Sequence, residues 1–360
     1  MNIYKYLVKP VAFQLDSENA HNAAMRLARA ADDSESIRKV TRFLYDYQSK
    51  HLKQTLLGLD FRNPMGVAPG FDKNGTIPHT LEALGFGFTE TGSITAHPSQ
   101  GNPRPRLFRL KKDRAIINRM GLNNNGAEVV VNRLMSKTTG IPKGINIAKT
   151  HDPDITGNRA IDDYLKSYRI AEPAADYIML NISCPNTAEG KTFEQKKPLT
   201  ELLNAVYKER TQNSPPLLVK FSPDIPAAEL TALLDITERF NVDGYAAVNT
   251  SSSRKGLRTN PDKLKSIGAG GLSGRPLHQR SCAEIKHIRQ ITGPDKTIIG
   301  IGGVDSFQAA LDKIENGADL LQVYSALIYE GPGLIKRINK QLSRHLQKNN
   351  LNSIRELRRV

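Results

Sequence analysis

Tryptophan is absent from the 360-residue sequence, cysteine occurs twice, and aromatic residues make up 6%. The two cysteines, Cys184 and Cys282, exclude the disulfide framework of small secreted domains and suggest a reducing compartment. They have no CxxC pair and no Cys/His cluster with zinc-ligand spacing. No apolar run approaches the roughly 18 residues of a spanning helix, and no secretory signal is found at the N-terminus. We therefore expect a protein that lies on a membrane at most, without crossing it.

Acidic residues are in the minority. Lysine and arginine total 51 against 36 aspartates and glutamates, a formal net charge of +15. Such an excess is compatible with nucleic acid, an anionic membrane surface or anionic small molecules as partners, and equally with a generally basic surface. Net charge alone does not distinguish these partners, so the distinction depends on the sequence motifs.

The first 55 residues carry helix signals and no strand signal. Asp16 and Asp33, each followed by serine, predict the starts of two helices with apolar residues at helical spacing. Short amphipathic helices with basic flanks suit a membrane interface, and the same pattern suits a helical cap packed on the main domain. Residues 1–55 are therefore expected to form a separate helical extension.

From residue 60 onward, short apolar runs alternate with helical stretches. Eight runs are strand candidates, and most have the near-continuous apolar character of parallel strands covered on both faces: 66–69, 88–92, 145–149, 177–183, 217–222, 244–250, 297–303 and 320–325. This pattern predicts an α/β fold with a (β/α)8 TIM barrel over residues 56–345, with a doubly wound open sheet as the alternative. A hairpin is expected at 107–110 and 115–118. Residues 346–360 are expected to form a basic C-terminal tail.

Polar residues recur where the predicted strands end, and in TIM barrels those carboxyl ends form the reactive face. In chain order they are Lys73, Ser93, Asn146, Lys149, Asn181, Lys220, Asn249, Thr250, Gly302, Gly303, Tyr324 and Ser325. One lysine or asparagine at a strand end is usually a solvated terminus. Polar or glycine residues at the ends of all eight strands predict a binding site.

Glycine-rich segments flank the seventh predicted strand. Gly302 and Gly303 let backbone N–H groups approach an anion, and residues 269–275 (AGGLSGR) are expected to form a second glycine-rich loop. Because no GxGxxG stands at a strand–helix junction, a flavin mononucleotide fits better than a dinucleotide. Four asparagines offer donors and acceptors for a flat heterocycle, with turn chemistry as the alternative for each one: Asn118, Asn181, Asn186 and Asn249.

Seven motifs, in this order, resemble those of dihydroorotate dehydrogenases, and the resemblance covers nearly the whole chain. They are APGFDK at 68–73, PRPRLFRL at 103–110, NRMG at 118–121, GINI at 144–147, NISCPNT at 181–187, GGLSGRPL at 270–277 and GIGG at 300–303. FQLD at 13–16 and His21 are similar to the membrane-associated, quinone-using class, since the soluble class lacks such an extension. The resemblance implies a peripheral protein on the cytoplasmic face of an anionic membrane, with a quinone channel in residues 1–55.

The resemblance also implies the ligands and their residues. FMN would be held by Pro69, Gly70, Phe71, Asp72, Lys73, Ser93, Asn146, Asn181, Lys220, Val248, Gly274, Gly303, Tyr324 and Ser325. Dihydroorotate would be held by Lys73, Asn118, Arg119, Met120, Gly121, Leu122, Asn181, Asn186, Asn249 and Thr250. The quinone would enter near His21 and Arg109. No metal and no nucleic acid are expected.

Cys184 holds the position of the catalytic base in this resemblance. It would remove a proton from C5 of (S)-dihydroorotate while C6 gives a hydride to the flavin, which yields orotate for pyrimidine biosynthesis. The quinone class usually has serine there and phenylalanine at the position of Leu122, whereas cysteine and leucine resemble the soluble class. We expect a quinone acceptor because the extension builds its site. The alternatives are a soluble acceptor (fumarate or NAD), an enzyme similar to tRNA dihydrouridine synthases, and a non-catalytic membrane scaffold.

Overall fold

The computed structural model describes residues 4–183 and 192–360. Its strands are, in chain order, β1 (Gln54–Leu56), β2 (Leu59–Phe61), β3 (Met65–Val67), β4 (Phe88–Ile94), β5 (Leu107–Leu110), β6 (Ala115–Asn118), β7 (Lys143–Ile147), β8 (Tyr177–Asn181), β9 (Leu217–Phe221), β10 (Gly244–Ala247), β11 (Gly271–Gly274), β12 (Thr297–Ile301) and β13 (Leu320–Val323). Eight of them pair in parallel into a closed barrel, in the order β3, β4, β7, β8, β9, β10, β12, β13 and back to β3. The predicted TIM barrel is confirmed, and the open sheet is excluded.

Helices cover the outside of the barrel and form the N-terminal extension. They are α1 (Lys9–Ala12), α2 (Ser17–Asp32), α3 (Glu35–Tyr45), α4 (Pro78–Ala83), α5 (Ala127–Met135), α6 (Gly157–Ala171), α7 (Lys196–Glu209), α8 (Ala227–Arg239), α9 (Pro261–Ile267), α10 (His278–Thr292), α11 (Phe307–Glu315), α12 (Ser325–Glu330) and α13 (Leu334–Lys348). In the described residues, no helix combines the length and the hydropathy that crossing a bilayer requires.

Alternation along the barrel strands decides which side chains face the interior. In β8, Ile178 and Leu180 pack in the layer between strands and helices, whereas Tyr177 and Met179 join the cluster inside the barrel. The period of two therefore turns the next residue, Asn181, inward at the carboxyl end. The same argument places Lys220 inward on β9, where it pairs in register with Asn181.

The glycine-rich segment 269–275 differs from the sequence prediction. It contains strand β11, which pairs antiparallel with β6 and makes the predicted hairpin β5–β6 a three-stranded sheet. Gly271 is required there because an added Cβ would lie 2.0 Å from Thr250 Oγ1. Glycine was interpreted as a loop signal, but here it permits close contact between segments.

A short antiparallel hairpin, β1–β2, closes the amino end of the barrel. Phe61 is 1% exposed and meets the ring of Phe88, the first residue of β4, edge to face at 5.5 Å between centroids. Leu56 and Leu59 pack against the same interior cluster. The hairpin therefore forms an apolar floor below the barrel.

The N-terminal extension is capped where the sequence predicts. Asp16 accepts hydrogen bonds from the N–H groups of Glu18 and Asn19, and Ser34 accepts one from Ile37. At the end of α2, the buried Asp32 accepts the N–H of Thr80 at 2.8 Å and pairs with Lys137 Nζ at 2.5 Å. These contacts fix the extension to the barrel.

The C-terminal segment 346–360 packs on the barrel. Its expected boundary falls within α13, in which Leu346 is fully buried. Beyond α13, Ile354 is also fully buried, and Arg358 pairs with Asp319, which Arg289 contacts as well at 2.7 Å. Its basic residues are thus partly used to hold the chain end in place.

Candidate active site

A cleft opens at the carboxyl ends of the barrel strands. It encloses about 1260 Å³, counted together with the solvent at its mouth. Gly302 lines it, and so do sixteen of the residues predicted to hold FMN or dihydroorotate: Pro69, Gly70, Lys73, Ser93, Asn118, Met120, Leu122, Asn181, Lys220, Val248, Asn249, Thr250, Gly274, Gly303, Tyr324 and Ser325. Cys184 and Asn186 lie outside the described residues.

A chain of polar side chains crosses the cleft floor. Asn249 Nδ2 donates to Ser183 Oγ at 2.8 Å and to Asn181 Oδ1 at 3.1 Å, and Asn181 Nδ2 donates to Ser93 Oγ at 2.9 Å. Ser93 in turn donates to Asn146 Oδ1. The amides are thus held in fixed orientations. Ser183, at one end of this hydrogen-bond series, is the residue that precedes Cys184 in the sequence.

Asn146 belongs to a layer below the cleft rather than to its lining. Its Nδ2 donates to Glu90 Oε1 at 2.8 Å. The same buried carboxylate accepts from Tyr177 Oη at 2.9 Å and from Gln322 Nε2 at 2.6 Å. This polar layer supports Ser93 from beneath.

Lys73 is the basic residue of the first loop, and burial lowers the pKa of its amine to about 8, with the charge of Arg106 adding to the effect. Glu18 and Asp72 act in the opposite direction. Asp72 itself faces away and accepts the N–H groups of Thr76 and Ile77 at 2.9 Å. Its carboxylate therefore shapes the loop that presents Lys73.

Aromatic rings connect the cleft with the N-terminal extension. Tyr324 lines the cleft and meets Phe71 edge to face at 5.7 Å, and Phe71 meets His21 of α2 in the same way at 5.6 Å. Burial, helped by the charge of Lys73, lowers the pKa of His21 to about 3. His21 is thus a neutral ring at physiological pH.

Three further predicted residues point away from the cleft. Arg109 donates to Ser17 Oγ at 3.0 Å and to the Ala12 carbonyl at 2.8 Å, so its side chain holds the start of the extension. Arg119 lies over the ring of Phe108 at 4.7 Å. Gly121 packs against Asn102, where a Cβ would lie 2.5 Å from the backbone nitrogen. Neither Arg119 nor Gly121 is among the residues that line the cleft, and the backbone of Arg119 bonds to Asn102 and Arg106 instead.

Sequence reasoning missed several residues of the cleft wall. Ser273 Oγ lies 2.7 Å from Ser325 Oγ, and Arg275 pairs with Asp305 at 2.8 Å. Arg114, Ile116 and Tyr329 also line the cleft. The hairpin was predicted, but its inward face could be assigned only after β11 was known to pair with it.

The matches to known proteins agree with this geometry. Residues 51–346 match the family model described as dihydroorotate dehydrogenase. The chain belongs to the dihydroorotate dehydrogenase family. The family and enzyme class expected from the motifs are thereby confirmed, in preference to the tRNA-modifying and scaffold alternatives.

Relatives of the dihydroorotate dehydrogenase family align along nearly the whole chain. A protein of Nocardioides sp. named dihydroorotate dehydrogenase (quinone) is 41% identical over 350 residues, covering 94% of this chain and 96% of its own. A protein of the same name from Nostoc punctiforme is 39% identical, with 99% and 97% covered. A crystal structure of DHODH from Eimeria tenella in complex with ferulenol superposes with a TM-score of 0.85 at 32% identity, covering 95% of this chain and 94% of that one.

Dihydroorotate dehydrogenases are flavin-dependent, and the cleft fits a flavin. Gly303 has φ of +75°, and a Cβ there would lie 2.8 Å from His278 Cβ; at Gly274, with φ of +107°, it would lie 2.6 Å from the Arg114 carbonyl oxygen. Both positions therefore require glycine, and both line the cleft, where backbone without a Cβ can approach a phosphate closely. The buried Gln322 lines the cleft, and its carbonyl oxygen has no partner among the described residues. An orphaned acceptor of this kind suits a ligand that brings a donor.

Proposed function

We propose that this protein oxidises (S)-dihydroorotate to orotate in pyrimidine biosynthesis, with FMN as its flavin and a membrane quinone as the electron acceptor. One observation carries the proposal: Lys73, Asn181, Lys220 and Asn249 line a single cleft at the carboxyl ends of the barrel strands. The barrel itself matches the dihydroorotate dehydrogenase family. In TIM-barrel enzymes the active site lies at the carboxyl ends of the strands.

FMN would lie across the cleft floor. Gly274, Gly303 and Ser325 would hold its phosphate through backbone N–H groups and a hydroxyl, and Ser93, Asn181 and Lys220 would contact its ring system. When bound, FMN supplies the two-electron redox chemistry that links substrate to acceptor. A mononucleotide is supported over a dinucleotide by the glycine pair on one strand end and by the absence of a GxGxxG fingerprint from the sequence.

Dihydroorotate would bind above this floor. The Lys73 ammonium would pair with its carboxylate, and the amides of Asn118 and Asn249 would match its ring edge. Cys184 would take the proton from C5. A cysteine thiol with a pKa of about 8.5 yields a base near neutral pH, and the covalent neighbour Ser183 already lies in the amide network of the cleft.

The acceptor side would lie in the N-terminal extension. The ring series Tyr324–Phe71–His21 leads from the cleft to α2, and a neutral His21 suits an uncharged quinone. Arg109 would shape the opening by holding Ala12 and Ser17. The quinone named for the relatives from Nocardioides and Nostoc supports this acceptor.

The same extension would lie on a membrane. Large apolar side chains are exposed on its helices, among them Leu27 at 75% and Phe43 at 84%. A net charge of +15 favours an anionic surface. Apolar exposure of this extent on short helices is typical of interfacial binding.

Anaerobic mixing with dihydroorotate tests the proposal. We expect the flavin absorbance of the purified holoprotein to bleach on addition of dihydroorotate and to return on addition of a soluble quinone analogue. If the flavin absorbance returned with fumarate or NAD and not with the quinone analogue, the electron acceptor would be that soluble compound. A protein whose flavin does not bleach would contradict the proposed activity.

A further inference from the structure

A buried ion pair joins the extension to the barrel rim. Glu18, in the first turn of α2, and Arg106, just before β5, are 5% and 7% exposed. Arg106 Nη2 donates to Glu18 Oε1 at 2.8 Å, and Arg106 Nε lies 3.2 Å from each carboxylate oxygen. Arg104 adds a second cation 3.2 Å from Glu18 Oε1. The Glu18 carboxylate thus binds the Nε–Nη2 edge of the Arg106 guanidinium and fixes the orientation of that group.

The other edge of Arg106 holds a loop of the rim. Its Nη1 donates to the carbonyl oxygens of Gln100 at 2.7 Å and of Asn102 at 2.9 Å. Gly101 between them has φ of +71°, and an added Cβ would lie 2.1 Å from the Met120 carbonyl oxygen. The loop is therefore pressed directly against the backbone of segment 118–122.

Asn102 carries the contact into that segment. Its backbone N–H donates to the Met120 carbonyl at 3.1 Å, and its Nδ2 donates to the Arg119 carbonyl at 2.9 Å. The Arg119 N–H returns a bond to the Arg106 carbonyl at 2.9 Å. Met120 and Leu122 line the cleft, so an unbroken series of hydrogen bonds runs from α2 to the cleft wall.

We propose that Glu18 is a positioning residue for dihydroorotate, which acts through Arg106 and the 100–102 loop on segment 118–122. The extension would then serve both half-reactions: it would build the acceptor side and would also fix the substrate wall. This inference rests on the proposed function of the cleft. It is supported by electrostatics, because Arg106 and Glu18 both act on the pKa of Lys73, in opposite directions.

The Glu18→Gln variant tests the proposal, since it keeps the size of the side chain but removes its charge. We expect KM for dihydroorotate and the Kd for orotate to rise about tenfold, because hydrogen bonds to charged groups contribute on this scale. KM for the quinone analogue is expected to change little. Glu35→Gln is the matched control, because Glu35 also lies in the first turn of an extension helix but is 69% exposed and pairs with the equally exposed Lys39.

A role confined to anchoring the extension would give the opposite pattern. The quinone KM would rise and the orotate Kd would stay at the parent value, which would overturn the proposal. Arg106→Lys provides a second variant that keeps a cation yet loses the fork of hydrogen bonds, and it should weaken orotate binding similarly. Bleaching of the parent flavin by dihydroorotate is read first, so failure of the proposed activity is distinguished from failure of this inference.

Discussion

The proposed base, Cys184, follows β8 in the sequence and should set the pH dependence of the proposed reaction. We expect the rate of flavin reduction by dihydroorotate to rise about tenfold per pH unit below the thiol pKa and then level off. Cys184→Ser should shift this rise to higher pH, since a hydroxyl is less acidic than a thiol. Stopped-flow reduction across pH 6–10 measures the profile.

Cys282→Ser is the control for that experiment, because Cys282 is a half-buried thiol on α10. Its profile should match the parent. Overlaid profiles of Cys184→Ser and the parent would rule out the thiol as the base.

The amine of Lys73 should limit substrate affinity at alkaline pH. Its pKa is lowered to about 8 in the folded protein, so it carries a charge below that pH and loses it above. The Kd for orotate should therefore be level below about pH 8 and should increase above it, as measured by titration calorimetry. In Lys73→Met, binding should be weak throughout and without this break; a retained break would assign it to another group.

Single residues differ in how far the sequence identified them. Asn181 could be placed because the strand period fixes its direction, and Lys73 could be placed at the rim because its loop follows the carboxyl end of β3. Arg119 stands among residues that line the cleft, yet its side chain lies on Phe108. Side-chain direction in an irregular segment depends on distant partners, which motif order does not contain.

At the scale of secondary-structure elements, α2 is fixed at its C-terminal end by Asp32. Asp32→Asn should lower the free energy of unfolding by about 2–3 kcal/mol, because it breaks a buried ion pair with Lys137. Asp33→Asn is the adjacent control, since the Asp33 side chain is 76% exposed and lies 3.8 Å from the same lysine. Its effect should stay below about 1 kcal/mol. Equal losses in urea denaturation would show that the burial of Asp32 is irrelevant.

Most barrel strands could be predicted because they are near-continuous apolar runs, whereas β4 (FTETGSI) was placed by its position between helical stretches. Their ends were less well determined: β10 ends at Ala247 and β12 at Ile301, so Asn249 and Gly302 belong to the loops that follow. Strand β11 could not be foreseen from GGLSG, since its register depends on β6, about 150 residues earlier. The local sequence pattern thus predicts the strands and helices of the barrel, whereas an added strand such as β11 depends on pairing with a distant segment.

At the scale of the whole molecule, the extension should govern binding to lipid. We expect the double variant Leu27→Ser/Phe43→Ser to lose most of its binding to phosphatidylglycerol vesicles in a sedimentation assay, because each side chain contributes about 1.5–3 kcal/mol when buried in an apolar phase. Flavin reduction by dihydroorotate should remain at the parent rate.

Val129→Ser/Met135→Ser is the control for this assay, with two exposed apolar residues on α5 of the barrel. It should sediment with vesicles like the parent. Equal losses in the two double variants would mean that the extension has no special part in binding lipid.

The hairpin β1–β2 limits where reactants can enter and leave the barrel. Because Phe61 closes the barrel from below, we expect substrate, product and acceptor all to pass the upper rim. The extension is attached to that rim through His21 and Glu18. A molecule lodged between the extension and the rim would lie on the route of every reactant, so we expect such a ligand to slow both halves of the proposed cycle.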